Sequence, residues 1–176
     1  MVSAPKPNLP IFYNDLIPLN SEQHSKAHAR SVDKAQWVAK QHVVPLTVEE
    51  FPAAQRDFPI VFSAGDNPVP LAVMSLNENS NTFFEADGTL IGTPYIPAYI
   101  RRYPFLLVKN RPEDTNLSLC FDPTSDLIGD FEDGNPLFDG DQPSAHTKEL
   151  LAFCERFEEA GMRTKSFVDE LIKHDL

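Results

Sequence analysis

Short apolar runs separated by turn residues dominate the first two-thirds of the chain, and helical spacing dominates the last third. Residues 12–19 predict a first strand ending at Pro18. Residues 20–34 are polar. Residues 35–39, centred on Trp37 and Val38, predict a strand, which residues 43–46 continue or pair with. Thr47 followed three residues on by Glu50 is a capping box, and Phe51, Ala54 and Phe58 follow at helical spacing. Pro52 fits the first turn of that helix and Pro59 stops it. Residues 60–62 and 71–76 read as strands joined by a turn at Gly65-Asp66-Asn67-Pro68. Residues 82–85 run into Asp87-Gly88, a strong hairpin signal, and Leu90 and Ile91 return from it.

Residues 96–102 predict a short helix closed by Pro104. Residues 105–108 and 117–121 are strands, and 122–143 form a long irregular loop. Pro143-Ser144 opens a helix whose buried face is Leu150, Leu151, Phe153, Cys154 and Phe157. Gly161 ends it, and Thr164 caps a last helix burying Phe167, Val168, Leu171 and Ile172. The expected fold is α+β: a mostly antiparallel β-sheet, short helices, and two C-terminal helices packed on the sheet. Residues 1–10 read as an extended arm and 11–176 as one domain.

Composition supports that picture. A domain near 176 residues buries roughly two-thirds of its unfolded surface, so no staple is needed. Sixteen prolines disfavour a helical bundle. The formal net charge of −11 disfavours nucleic acid and anionic lipid as partners. Cys120 and Cys154 are too few and too far apart for a disulfide framework, and read as small core residues. No apolar run is long enough for a signal peptide or a membrane span, which implies a cytoplasmic location.

Several blocks carry a resemblance. They are PLNSEQH at 18–24, VPLTVEEFPAAQRDFPIVF at 44–62, NSNTFFEADG at 79–88, YIPAYIRRYPF at 95–105, GNPLFDGDQPS at 134–144 and TKSFVDEL at 164–171. In this order they resemble the SapC family of bacterial proteins, named for an association with surface-layer gene clusters. YIPAYIRRYPF is the most specific. The family often has a large aromatic after the Asp-Gly turn, where this chain has Leu90 and Ile91. The resemblance implies no catalytic residue and no cofactor, and its name points to surface association. It implies a non-catalytic binding or assembly module whose partner is a protein or an envelope glycan or peptide.

Four constellations are candidates for chemistry. Tyr95, Tyr99, Arg101, Arg102 and Tyr103 could form a ligand- or partner-binding edge, because arginine grips carboxylate or phosphate and tyrosine stacks on sugar or peptide. Alternatively, one arginine pairs internally while the aromatics fill the core. His24 and His28, four residues apart, would share a helix face as weak metal ligands. An acidic stretch contains Glu113, Asp114, Asp122, Asp126, Asp130, Glu132, Asp133, Asp139 and Asp141. It suits either a hard cation or a solvated loop. Asn79, Asn81, Glu85 and Asp87 suit a tight turn, while His24 with Glu85 or Asp87 could serve a small hydrolytic or metal-assisted enzyme.

Overall fold

A computed structural model describes residues 9–109 and 117–174. Residues 1–8 of the expected arm, and Glu113 and Asp114, lie outside the described residues. The strands are β1 (Ile17–Pro18), β2 (His28–Ala29), β3 (Val43–Pro45), β4 (Ile60–Phe62), β5 (Pro70–Val73), β6 (Phe105–Lys109), β7 (Leu117–Phe121), β8 (Ile128–Gly129), β9 (Asn135–Pro136), β10 (Phe138–Asp139) and β11 (Gln142–Pro143). The helices are α1 (Ser21–His24), α2 (Phe51–Ala54), α3 (Ala98–Arg101) and α4 (Ala145–Lys173). A 3-10 turn, Val48–Glu50, leads into α2. The fold is α+β, and every strand pair is antiparallel.

Among the described residues, one expected sheet is instead four small ones. Proline explains much of this, since it cannot donate to a ladder and suits strand ends. Five strands begin or end on one: β1, β3, β5, β9 and β11.

The described residues form two compact units, each built from two separate stretches of sequence. The first takes residues up to 31 and 103–151. Its main sheet is β1-β7-β6, with Phe105 opposite Phe121 and Lys109 opposite Leu117. The predicted first strand shrinks to two residues, Ile17 opposite Phe121 and Pro18 opposite Cys120. The long loop after β7 is not wholly irregular: it supplies β8 and β9, which flank β2, and the β10-β11 hairpin. Tyr13, Tyr103, Phe105, Leu107, Cys120, Phe121 and Leu137 are buried here. The Tyr13 hydroxyl donates to the Phe105 carbonyl at 2.7 Å.

The second unit takes residues 32–102 and the chain from 152. Its sheet is β3-β5-β4, with Val44 opposite Ala72 and Ile60 opposite Ala72 on the other side. The predicted strand at 35–39 is a run of turns, in which Val38 N–H reaches Ala35 and Gln41 N–H reaches Val38. Val38 is fully buried from that turn, so burial rather than pairing accounts for the apolar residues there. The Asp87-Gly88 hairpin forms around a Phe84–Leu90 bridge. Gly88 has φ +84, and a Cβ there would meet the Ala35 carbonyl carbon at 2.5 Å, so only glycine fits.

The two expected C-terminal helices are one, α4, of 29 residues. Ser144 caps it, its Oγ accepting from Thr147 N–H at 3.1 Å. Gly161 does not end it. A helical glycine costs only about 1 kcal/mol relative to alanine, and the buried line Cys154, Ala160, Thr164, Val168 runs straight past it. The Thr164 hydroxyl donates back to the Ala160 carbonyl at 2.7 Å rather than capping a new start. Of the four residues expected on the last buried face, only Val168 is buried, and Phe167 and Ile172 are exposed. No helix among the described residues is long and apolar enough to cross a membrane.

Candidate functional site

Two carboxylates, Glu50 and Asp57, hold the start of the segment 95–105. Glu50 is 7% exposed. Its Oε2 accepts from Thr47 N–H at 2.8 Å and Thr47 Oγ1 at 2.9 Å, forming the predicted capping box. Its Oε1 accepts from the Tyr95 hydroxyl at 3.0 Å and from Ala98 N–H at 2.7 Å. Asp57 holds Tyr95 N–H at 2.8 Å. Thus the 44–62 and 95–105 blocks meet at a satisfied buried carboxylate. Burial first, then the nearby Glu50 charge, pushes the Tyr95 hydroxyl above its ordinary pKa.

The five candidate contact residues separate by burial. Tyr99, Arg102 and Tyr103 are each 6% exposed. The Arg102 guanidinium lies 4.3 Å from the Tyr99 ring centre and 4.4 Å from that of Phe157, and pairs with Glu158 at 3.4 Å. Burial raises the Glu158 pKa against the opposing pull of Arg102, and pushes the Cys154 thiol up to about 11. Arg101 is exposed and Tyr95 half-buried. Arg101 Nε donates to the Ile96 carbonyl at 3.0 Å, and its guanidinium lies 5.3 Å from the Phe153 ring centre.

Arg101 and Tyr95 line a groove of about 280 Å³ together with Glu49, Glu50, Phe153 and Arg156. Arg156, on α4, was not anticipated from sequence. Its only local signal is its place between Phe153 and Phe157, and the groove is assembled from residues 47–50, 95–101 and 153–160. Both acids of the groove are engaged: Glu50 as above, and Glu49 by Arg163. Among the described residues neither Arg101 nor Arg156 is in an ion pair. A second groove of about 430 Å³ adjoins it, since Thr47 and Phe157 line both. Its walls are largely apolar, with Leu46, Pro68, Val69, Tyr99, Gly161 and Val168 among them.

The histidines do not share a helix. His24 ends α1, whereas His28 lies in β2, because Ala27 closes a turn onto His24 between them. His24 Nδ1 accepts from Asn20 N–H at 3.1 Å and its ring meets Phe121 edge-on. His28 Nδ1 faces the Lys26 carbonyl at 2.9 Å. No group of three His, Cys, Asp or Glu side chains among the described residues could hold a metal. In the acidic stretch, Asp122 is wholly buried and accepts from Asn14 N–H and from Thr124 N–H and hydroxyl. Asp133 pairs with Arg30 at 2.8 Å, and that contact holds its carboxyl below the ordinary range.

His24 belongs to the first unit, and Glu85 and Asp87 to the second. Asp87 is held at about 2, chiefly by the Lys34 ammonium and then by Thr89, which makes it a fixed anion rather than a proton shuttle near neutrality. Asn81 is structural: its amide donates to the Gln41 carbonyl at 2.9 Å and its oxygen accepts from Phe83 N–H. Asn79 adopts φ +57, as a turn asparagine can.

The SapC family profile matches residues 19–176, which include both the 44–62 and the 95–105 blocks. The chain belongs to the SapC family. No curated protein and no solved structure matches it.

Proposed function

We propose that the protein is a non-catalytic binding or assembly module that works with envelope or surface-layer components and grips an anionic group of its partner through Arg101 and Arg156. The observation that carries this reading is the pairing of two arginines in one groove whose only carboxylates are already engaged. The chain has 26 acidic residues against 15 Lys and Arg, so acids to neutralise a cation are plentiful. Two guanidiniums sharing a groove whose acids are already engaged are placed to donate to an outside carboxylate or phosphate. The Tyr95 and Phe153 rings lie beneath the Arg101 guanidinium. Of the residues proposed with them on sequence grounds, the buried Tyr99 and Arg102 support the edge from the core in this reading, and Tyr103 is buried in the other unit.

The test is partner capture from an envelope fraction by wild type and by the double variant Arg101→Gln, Arg156→Gln. Capture should fall at least about tenfold, with an unchanged urea midpoint. Undiminished capture would remove the site assignment.

A further inference from the structure

The adjoining apolar groove gives the anion reading a body as well as a head. Gly161 lies inside α4, where glycine destabilises a helix by about 1 kcal/mol relative to alanine. Close packing does not account for it, because a Cβ at Gly161 would meet nothing within 4 Å. The missing side chain instead opens onto the groove of about 430 Å³, a volume typical of small-molecule sites. Apolar surface predominates in its walls. Thr164, one of its few polar groups, is already engaged, accepting from Val48 N–H at 2.9 Å and donating to Ala160. Lys165 is likewise paired with Asp169. Apart from Asn67, little in this groove is left to recognise a polar ligand, and its cationic neighbour begins across Thr47 and Phe157.

We infer that the two grooves together bind a single-chain anionic amphiphile, its carboxylate at Arg101 and Arg156 and its alkyl chain in the groove opened by Gly161. The inference rests on the anion-binding reading above and adds the ligand class. A monomeric ligand is favoured over a membrane surface, because a chain of net charge −11 is repelled by an anionic bilayer.

Calorimetric titration of the full chain with monomeric decanoate, decan-1-ol, acetate and inorganic phosphate tests this, alongside sedimentation with anionic phospholipid vesicles. Decanoate should bind one to one, about tenfold or more tighter than either decan-1-ol or acetate. Arg101→Gln with Arg156→Gln should weaken it about tenfold. Gly161→Leu should abolish it while keeping or raising the urea midpoint, and Gly161→Ala, the gentler change, should weaken it in part. Equal binding of decan-1-ol, undiminished binding by both Gly161 variants, or binding to vesicles without binding to monomer would each overturn the inference. If acetate and phosphate bind in an arginine-dependent way while decanoate gains nothing, the amphiphile is wrong and the anion site stands. If the arginine variants retain both decanoate and partner capture, both readings fall.

Discussion

At the scale of residues, Glu50 shows what local sequence can and cannot disclose. Its capping-box role was legible, because Thr-x-x-Glu before an apolar turn is a local signal. Its other oxygen serves Tyr95 and Ala98, which lie 45 and 48 residues away and leave no trace in local spacing. The same limit hid Arg156, whose groove is assembled from three distant segments. Burial also divided what sequence had grouped: Arg101 ends α3 and Arg102 is its helical C-cap, about 100° further round the axis, so one is exposed while the other stacks on Tyr99 and Phe157. Because four donors converge on Glu50, removing the acceptor strands several buried groups at once. Glu50→Ala should cost about 3 kcal/mol or more, and Glu50→Gln an intermediate amount, since its amide turns one donor toward donors. Urea denaturation measures both, and a loss below about 1 kcal/mol for alanine would show that this carboxylate does not organise the segment.

At the scale of elements, several turn-marked stretches were read correctly, but the helix expected over 51–58 is only Phe51–Ala54 and the strand expected over 71–76 is Pro70–Val73. The β6 and β7 strands, the β4 to β5 turn and the Asp87-Gly88 hairpin all appear where their apolar runs and turn residues place them. The turn at 36–40 defeated the strand expectation because a buried Val38 looks the same to a pattern whether it faces a ladder or a packed turn. Gly161 misled for a related reason: a glycine after an apolar stripe signals a cap, but the stripe itself continued through Thr164 and Val168. The hairpin carries a pH prediction. Asp87 is depressed to about 2 from an ordinary 3.8, so the folded state binds its proton less readily than the unfolded state. The stability it adds is present above about 3.8 and is lost as pH falls toward about 2. The pair with Lys34 is exposed, so the effect is small. Lys34→Met should flatten the acid-side decline in thermal midpoint within that window and leave the neutral value nearly unchanged. An identical slope in wild type and variant would show that Lys34 does not set the Asp87 titration.

At the scale of the whole molecule, the α+β class followed from strands early and helix late, but the division into two units did not, because neither unit is a continuous stretch of chain. Pattern reading proceeds along the sequence, whereas the second unit is closed by residues contributed some 50 positions after its first stretch ends. That closure has an experimental consequence. Residues from 152 onward bring the second unit its buried Cys154, Ala160, Thr164 and Val168, and the Thr164 hydroxyl accepts from Val48 N–H at the start of the turn that presents Glu50. A fragment ending at Leu151 keeps every strand of the β3-β5-β4 sheet yet lacks that apolar surface, and a three-stranded sheet of such short strands is marginal without a packed partner. Trp37, the only tryptophan, lies in this unit and serves as its fluorescent reporter. The fragment should therefore show red-shifted tryptophan emission without a cooperative urea transition, while the full chain shows native emission and a single sigmoidal loss of it. Native-like emission with a cooperative transition in the fragment would mean that residues 32–102 hold their fold without α4, and that the Arg101 groove, which needs Phe153 and Arg156 from that helix, is an addition to a self-sufficient unit rather than part of what closes it.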